Sequence, residues 1–461
     1  MRVLITHRWR VPEPTGSANA PAPGAPTPGA ALRAWHHAEA LRAAGHDVRL
    51  LTREADEPGG FRSPAHLRRL AREHAPDWIL AVAPEDAPAL RGLAPLVVDL
   101  YAPRVLEAAF EGTQSEEAVR ALQAVHAADE VLFSNPRQRW YWLGVLGIAG
   151  WDLSRAAGLI IPLAAHGLAR KKPRRPRVIV GGYPWPWAQG NESLARALNH
   201  LGKRADVVSY GLPLMAGVES RGLVSLAEWR EACSTATVAL DRYAHNPERE
   251  LAASFRQADY LGGGLPMITD PWTVLADEVR AYRAGWVDEP LEDALDAALQ
   301  EDRGDGARAL GKRYARETTE APLLAWTPSV RERIASATVR AVDLARARER
   351  TATNQLRAEA AHEEVRRKRE EVAALHEQVA RLTGALSRLS EAMADVAGFR
   401  RETVAVLGTR LAGQTGEAEE LRRQLEITRA DLDKKTLELA AVQADRSRLD
   451  GVLARLRPTR S

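Results

Sequence analysis

Short apolar segments alternate with helical segments along the first part of the chain. Residues 2–6 form an apolar run rich in β-branched side chains, residues 31–44 have helix-forming composition, and residues 46–52 predict a second strand. Gly45 follows the helix where a C-cap glycine is expected. A strand, a helix and a second strand in this order form a βαβ unit, which requires a parallel sheet.

The alternation continues in two series. The first series adds three apolar runs, at residues 78–82, 96–100 and 130–133. The second series has four, at residues 178–180, 206–209, 238–240 and 267–269. Between the series lies the basic, proline-containing stretch 169–177, whose charges are more typical of a solvated hinge than of a phosphate or anionic-lipid contact. We therefore predict two Rossmann-like α/β domains, residues 1–168 and 178–330, joined by this linker across a cleft.

A different pattern occupies residues 340–457, which predict a long α-helical coiled coil. Apolar positions recur in steps of three and four, first at Val372, Leu375, Val379, Leu382, Leu386, Leu389, Met393 and Val396. A second seam follows at Leu421, Leu425, Leu432, Leu439, Val442, Leu449, Leu453 and Leu456. Between the seams, near 397–420, four glycines predict a stutter, a hinge or a hairpin: Gly398, Gly408, Gly413 and Gly416. The seam makes a homo-oligomer the default prediction, and a docking scaffold or a spacer is the alternative.

Composition narrows the class of protein. With 64 basic and 61 acidic residues the chain is nearly balanced, which disfavours a nucleic-acid partner. The lone Cys233 excludes an internal disulfide and fits a reducing compartment. The N-terminus does not predict a signal peptide, and no apolar stretch is long enough to span a membrane. We expect a cytoplasmic protein with at most peripheral contact at the inner face of the membrane.

The segment 246–270, NPERELAASFRQADYLGGGLPMITD, carries the most chemistry. It predicts a helix that brings Glu250, Arg256 and Asp259 near one another, followed by three glycines and an apolar strand. A carboxylate suits two adjacent ribose hydroxyls, and the arginine fork suits a diphosphate. Glycines let the backbone approach a ligand closely. An amphipathic helix with surface ion pairs, followed by a turn, is the alternative interpretation.

The segment resembles the nucleotide-sugar site of GT-B glycosyltransferases related to retaining family four, of the polysaccharide and O-antigen biosynthesis type. Residues 181–187, 98–103 and 137–144 resemble other stretches of the same enzymes. The resemblance covers roughly the two predicted domains. It implies that Asp259 binds the ribose hydroxyls, Arg256 the diphosphate and Glu250 the sugar hydroxyls. The spacing from Glu250 to Asp259 is one residue longer than the usual Glu-x7-Glu. The remaining donor-site residues it implies are Gly262, Gly263, Gly264 and Leu265.

On the acceptor side, the resemblance points to the loop 11–28 and the helix after it. Gly29 and Arg33 stand where such a loop enters its helix. Asp99 follows a predicted strand of the first domain and is the one weak catalytic candidate. It either positions an acceptor hydroxyl or acts as a base, or it caps a turn before Pro103. We assign no catalytic base and expect no metal.

The sequence thus predicts transfer of a sugar from a nucleotide diphosphate sugar, its co-substrate, to a saccharide or lipid-linked acceptor in surface polysaccharide biosynthesis. No further cofactor is expected. The rival prediction is a non-enzymatic coiled-coil scaffold with a degenerate head. Enzymes of family four usually have an Arg and a Lys shortly after the first strand of the second domain, whereas residues 181–193 contain no basic residue. In this stretch Trp185 and Trp187 could stack on a sugar or base, but packing in the core and hinge is favoured.

Overall fold

The computed structural model describes most of the chain: residues 1–11, 25–53, 59–154, 158–171, 173–182, 185–187, 191–211, 217–331, 337–395 and 401–456. It divides into two compact units, Met1–Val339 and Arg340–Ser461. Most of the predicted loop 11–28 lies outside the described residues, as do Val396 and Gly398 of the predicted seam and break.

Among the described residues, six parallel strands form the first sheet, in the order β2-β1-β3-β4-β5-β6. They are β1 (Arg2–His7), β2 (Asp47–Thr52), β3 (Trp78–Ala81), β4 (Leu96–Asp99), β5 (Glu130–Phe133) and β6 (Leu159–Ile160). The accompanying helices are α1 (Gly29–Ala43), α2 (Pro64–His74), α3 (Ala87–Leu90), α4 (Arg104–Ala109), α5 (Gln114–Ala127) and α6 (Pro136–Ile148). Strands β3, β4 and β5 are buried along their whole length, because helices cover both faces of the sheet. The five predicted strands are therefore confirmed.

The second sheet has the order β12-β11-β10-β7-β8-β9, again parallel. Its strands are β7 (Arg177–Gly181), β8 (Asp206–Tyr210), β9 (Glu219–Ser220), β10 (Val238–Asp241), β11 (Met267–Thr269) and β12 (Gly285–Val287). Its helices are α7 (Asn191–Leu201), α8 (Leu226–Thr235), α9 (Pro247–Leu251), α10 (Phe255–Gly262), α11 (Ala276–Ala281), α12 (Leu291–Gln300) and α13 (Gly304–Arg313). The first strand of the series, β7, lies between β8 and β10. The strand order therefore reverses between β7 and β10, and open α/β sheets bind ligands at the carboxyl end of such a switch point.

After α13 the chain returns to the first domain. Helices α14 (Arg316–Thr319) and α15 (Ala321–Leu324) follow a bridge that pairs Ala315 with Ala165. Leu323 joins the apolar core of the first domain, and the ring of Trp326 meets Trp78 edge-to-face with centroids 5.4 Å apart. The return therefore fastens the second domain to the first.

The second compact unit consists of α16 (Ala337–Asp395), from residue 340 onward, and α17 (Arg401–Leu456). Ion pairs join Glu364 to Lys435 and Lys368 to Asp431, so the two helices run antiparallel. Of the three predicted alternatives, the arrangement is a hairpin. In both helices the less exposed seam residues recur in steps of three and four. They face the other helix, so the apolar seam is shared within one chain. The homo-oligomer stays a prediction.

The predicted break between the seams is too long. It was placed near 397–420, but the chain is helical from Arg401, and Gly408, Gly413 and Gly416 all lie inside α17. A glycine inside a helix costs only about 1 kcal/mol relative to alanine, which the flanking leucines offset by packing. In the part of the chain that the structure describes, no helix combines the length and the apolar character needed to cross a membrane.

Candidate functional site

The candidate site lies at the switch point of the second sheet. Strand β7 ends at Gly181 and the neighbouring β10 ends at Asp241, so both carboxyl ends meet at one edge. The hydroxyl of Tyr243 donates a hydrogen bond of 3.0 Å to the carbonyl oxygen of Gly181. Gly182 follows with φ of 134°, a conformation that favours glycine, and we call Gly181 and Gly182 the glycine turn.

Two arginines pack on the ring of Tyr243. The guanidinium carbon of Arg256 lies 4.5 Å from the ring centroid and that of Arg249 lies 5.0 Å from it. Arg256 also fills the space beside Gly182, where a β-carbon would overlap its Nη1 atom. Burial would lower the pKa of Arg256, but the neighbouring Tyr243 and Asp241 outweigh it and raise that pKa, so the guanidinium stays charged. Arg256 thus lies beside Gly182, and Arg249 shares its tyrosine ring.

Several buried polar atoms of this cluster have no hydrogen-bond partner among the described residues. They are Oδ1 of Asp241, Oε2 of Glu248 and the Nε atoms of Arg249 and Arg256. The nearest opposite charges lie at ion-pair distance: Arg256 Nε is 3.6 Å from Asp241 Oδ1, and Arg249 Nη1 is 4.0 Å from Glu248 Oε2. Because an unsatisfied buried polar group costs free energy, such groups mark a place where a ligand supplies the missing bonds.

Asp259, the predicted ribose ligand, is buried on α10 with 6% of its surface exposed. Its Oδ2 atom accepts a hydrogen bond of 2.8 Å from the indole nitrogen of Trp229. The indole ring lies against Gly181, where a β-carbon would overlap it. Burial raises the pKa of Asp259 to about 6, and Arg230 opposes this shift. The carboxylate therefore lies one indole ring away from the end of β7, not in bulk solvent.

Glu250 lies apart from that cluster. The single predicted helix is wrong: α9 ends at Leu251, Ala252 is extended, and α10 begins at Phe255. The Glu250 side chain is 47% exposed and pairs with His245 at 2.5 Å. The buried acid of α9 is instead Glu248, on another side of the helix. Binding of the donor sugar by Glu250 stays a prediction.

The four residues predicted to complete the donor site contact protein. A β-carbon at Gly262 would overlap the backbone of His166, and one at Gly264, where φ is 60°, would overlap the side chain of Arg308. Gly263 packs near the carbonyl of Cys233, and Leu265 is fully buried in the core. These contacts let α10 pack against residues 166–168 and α13, and binding of the donor by these four residues stays a prediction.

The three acceptor-side residues are also enclosed. Gly29 abuts the ring of Phe255 in the second domain. Arg33 and Asp99 are buried, and Arg33 Nε donates to Asp99 Oδ2 at 2.7 Å. As a correction, Asp99 neither faces the cleft nor caps a turn, because its carboxylate has no exposed surface and is bound from inside the domain.

The binding partners of Asp99 form a buried network that we call the return network: Arg33, His37, Asp99 and Glu320. His37 Nε2 lies 3.0 Å from Asp99 Oδ2, and His37 Nδ1 lies 2.6 Å from Glu320 Oε2. Burial alone would raise the pKa of Asp99, but Arg33 and His37 lower it below its ordinary value. Burial would lower the pKa of His37, but Glu320 and Asp99 raise it. The network therefore ties the return segment to α1 and β4.

The first domain faces the site with α4. This helix packs against α9, and Phe110, which follows it, lies 6.2 Å from the ring of Trp187. Burial raises the pKa of Glu107 to about 7, Arg104 opposes this, and Glu248 across the gap adds to it. Burial also raises the pKa of Glu248. Burial thus raises the pKa of two carboxyl groups from different domains, and the pKa of Glu107 reaches about 7.

Protonation of Glu107 is expected to stabilise the fold as the pH falls. Its folded pKa of about 7 lies above the ordinary 4.5, so the stabilisation is complete below about pH 4.5 and is lost as the pH rises through 7. With 18% of the side chain exposed, we expect about 1–3 kcal/mol. Urea unfolding between pH 5 and 8 should show this loss in the wild type, and the Glu107→Gln variant should lack it. The control is Glu73→Gln, which removes an exposed acid on α2, and equal pH profiles for all three proteins would contradict the assignment.

A second gap between the domains lies beside α6. It has a volume of about 350 Å³ and is lined by residues of both domains, among them Asn135, Ser254 and Leu275. At its edge Asn135 Nδ2 donates a hydrogen bond of 2.9 Å to the carbonyl oxygen of Leu251. Arg137 donates one of 3.0 Å to the carbonyl oxygen of Glu250. These bonds join the start of α6 to the end of α9, so the position of α9 depends on the first domain.

The sequence held a signal for two residues that were missed. Asp241 and Tyr243 come just after the predicted strand 238–240, at the edge where open sheets bind ligands. Arg242 there pairs with Asp270 at 2.9 Å. The burial of Glu248 and Arg249 had no such signal, because in the sequence they belong to a charged helical turn. Within the described ranges no group of three His, Cys, Asp or Glu side chains is placed to hold a metal ion.

Two Rossmann-like domains, facing each other across a gap and fastened by a return segment, define the GT-B fold. Solved structures of this fold are similar to the chain. Sucrose-phosphate synthase from Thermosynechococcus elongatus matches with a TM-score of 0.51 and 13% identity, over 70% of this chain and 97% of that one. WaaG, a glycosyltransferase involved in lipopolysaccharide biosynthesis, matches with 0.51 and 14%, over 70% and 100%. HepE of Anabaena, solved in complex with UDP and glucose, matches with 0.51 and 13%, over 70% and 98%.

At these identities the likeness establishes the fold alone. In sequence the chain matches no protein-family model and no curated protein.

Proposed function

We propose that the chain is a glycosyltransferase that moves a sugar from a nucleotide diphosphate sugar to a saccharide or lipid-linked acceptor in surface polysaccharide biosynthesis. One observation carries the proposal: buried charges without hydrogen-bond partners gather at the switch point of the second sheet. A ligand that bears both hydroxyls and a diphosphate supplies the missing bonds. The printed descriptions of the similar structures support it, since one names a lipopolysaccharide glycosyltransferase and another a complex with UDP and glucose.

On this proposal, different residues along the edge of the sheet bind different parts of the donor. Asp259 accepts hydrogen bonds from the ribose hydroxyls, and Arg256, beside Gly182, binds the diphosphate. Glu250 holds the sugar. Negative charge builds up on the diphosphate as the sugar leaves, and fixed cations in a site of low polarity stabilise it without a metal ion.

Donor binding on this proposal displaces one internal hydrogen bond. Trp229 now donates its indole N–H to Asp259 Oδ2, the atom assigned to the ribose. A ribose hydroxyl is a donor of the same kind, so the exchange keeps the number of bonds to the carboxylate unchanged. The indole then moves or binds the ribose alongside it.

Thermal unfolding with UDP, GDP and their sugar conjugates tests the proposal. A ligand present at 100 times its Kd stabilises the folded state by about 2.7 kcal/mol, which raises Tm by several degrees. We expect one nucleotide to do so in the wild type and in Asp277→Asn, an exposed acid on α11. Asp259→Asn should lose the shift. The proposal is wrong if the folded wild type responds to none of these ligands.

The second candidate is a coiled-coil scaffold with a degenerate head. Two observations favour it: residues 181–193 contain no basic residue, and Trp229 already satisfies the carboxylate of Asp259. A folded head without nucleotide affinity, together with an intact helical hairpin, is the result that this candidate predicts.

A further inference from the structure

The charges that face the glycine turn after β7 come from another part of the chain. Residues 181–193 contain no basic side chain, yet the guanidinium of Arg256 lies at this turn and that of Arg249 lies on the same tyrosine ring. Both belong to residues that follow β10, the strand on the other side of the switch point. Positive charge is therefore present at the glycine turn, although residues 181–193 supply none of it.

We infer that Arg249 and Arg256, held together on the ring of Tyr243, form a binding site for the diphosphate of the donor. The inference rests on the proposed function and extends it to Arg249 and Tyr243, which the sequence did not single out. Arg256 occupies the space that Gly182 leaves free, and Arg249 approaches the same ring from α9.

Tyr243 fixes the position of both cations. Its ring is buried, and its hydroxyl is anchored on the carbonyl of Gly181 at the end of β7. The face of an aromatic ring attracts a guanidinium, so one anchored ring sets the distance of two arginines from the turn. Aligned in this way, the cations are organised before the ligand arrives.

Part of the hydrogen-bonding capacity of the pair is unused. An arginine carries five N–H donors, and the Nε atoms of Arg249 and Arg256 are buried without a hydrogen-bond partner among the described residues. Their carboxylate neighbours, at 3.6 and 4.0 Å, lie beyond ordinary hydrogen-bond length. A diphosphate accepts several of these donors at once, in the forked geometry that arginine and phosphate share.

Isothermal titration with inorganic pyrophosphate and with UDP tests the inference. We expect the wild type to bind pyrophosphate, and Arg249→Met and Arg256→Met each to weaken that binding at least tenfold. Methionine keeps most of the apolar stem that packs on Tyr243 and removes the charge. The control is Arg280→Met, which removes an arginine that is 52% exposed on α11 and should leave pyrophosphate binding unchanged.

Arg249→Lys keeps the positive charge but removes the forked N–H donors of the guanidinium. It therefore still tests the inference if the methionine variant fails to fold. We expect it to fold and to bind pyrophosphate with an intermediate affinity. The inference is overturned if the wild type binds no pyrophosphate, or if Arg249→Met binds it as tightly as the wild type does. Binding of pyrophosphate through both arginines, with no binding of any nucleoside diphosphate, would sink the proposed function and leave the anion site standing.

Discussion

Asp99→Ala is expected to lower the free energy of unfolding by about 3–5 kcal/mol, the usual cost of breaking a buried ion pair on one side. The substitution leaves the guanidinium of Arg33 without its carboxylate in a place with 1% exposure. It also removes the acceptor that holds His37 in line with Glu320. Urea unfolding at neutral pH measures the loss.

Three variants separate the charge effect from packing. Asp99→Asn keeps the shape and should cost less than alanine, because the amide oxygen still accepts one hydrogen bond. The pair Arg33→Met with Asp99→Leu removes both charges and should be closer to the wild type than Asp99→Ala. Asp77→Ala removes an exposed acid that accepts from the backbone of Arg2, and should cost less than 1 kcal/mol. A cost for Asp99→Ala as small as for Asp77→Ala would refute a stabilising return network.

Asp99→Ala should also make the return segment open locally more readily than the rest of the fold. Glu320 precedes α15 and reaches the first domain through His37. Without Asp99, amide exchange at residues 316–324 should become faster than at the strands of the first sheet, since local opening begins where buried contacts are fewest. The relative position of the two domains depends on this segment, so the return network supports the site without touching it.

The fold was largely predictable because short apolar runs, separated by helical stretches, permit few arrangements other than parallel sheets. The strands at 78–81, 96–99 and 238–241 fall where the runs predict them. Strands β6, β9 and β12 have only two or three residues each and were not predicted. The hairpin of α16 and α17 was one of three alternatives, because a heptad seam is satisfied equally by the same chain or by a second one.

The site was harder to predict because its residues meet over long sequence distances. Asp99 stands at the end of a strand, where an acid is expected to face a ligand, but its partners Arg33 and His37 come from α1, and Glu320 comes from the return segment. The break between α9 and α10 falls at Ala252, Ala253 and Ser254, which include no proline or glycine to announce it. That break decides the burial of Arg249, and therefore also which cations reach the diphosphate.

Two sets of glycines near the site differ in what surrounds them. The triple glycine packs closely at the end of α10, and its approach to a ligand stays a prediction. Gly182 has the conformation and the neighbour that a ligand turn requires, although the sequence gives it no distinction from Gly181. The difference lies in a backbone angle and one contact with Arg256, which only the folded chain shows.

Gly182→Ala is therefore expected to weaken UDP binding at least tenfold. The new β-carbon would overlap Nη1 of Arg256, so the guanidinium has to leave the ring of Tyr243. The control is Gly45→Ala, which also has a positive φ, 81°, but no atom within 4 Å of the new β-carbon. Both variants should lose about 1 kcal/mol of stability from backbone strain, and Gly45→Ala alone should keep its affinity.

Combining Gly182→Ala with Arg256→Met shows whether both act through the same contact. If the alanine acts by displacing Arg256, it removes nothing further once the arginine is gone, and the double variant should bind UDP as weakly as Arg256→Met alone. Titration of the four proteins with UDP gives the coupling directly. If the fold-losses in UDP affinity of the two single variants multiply in the double variant, Gly182 contributes to binding in another way, such as by approach of its own backbone to the phosphates. In that case the displacement explanation is wrong, whatever the affinity of each single variant.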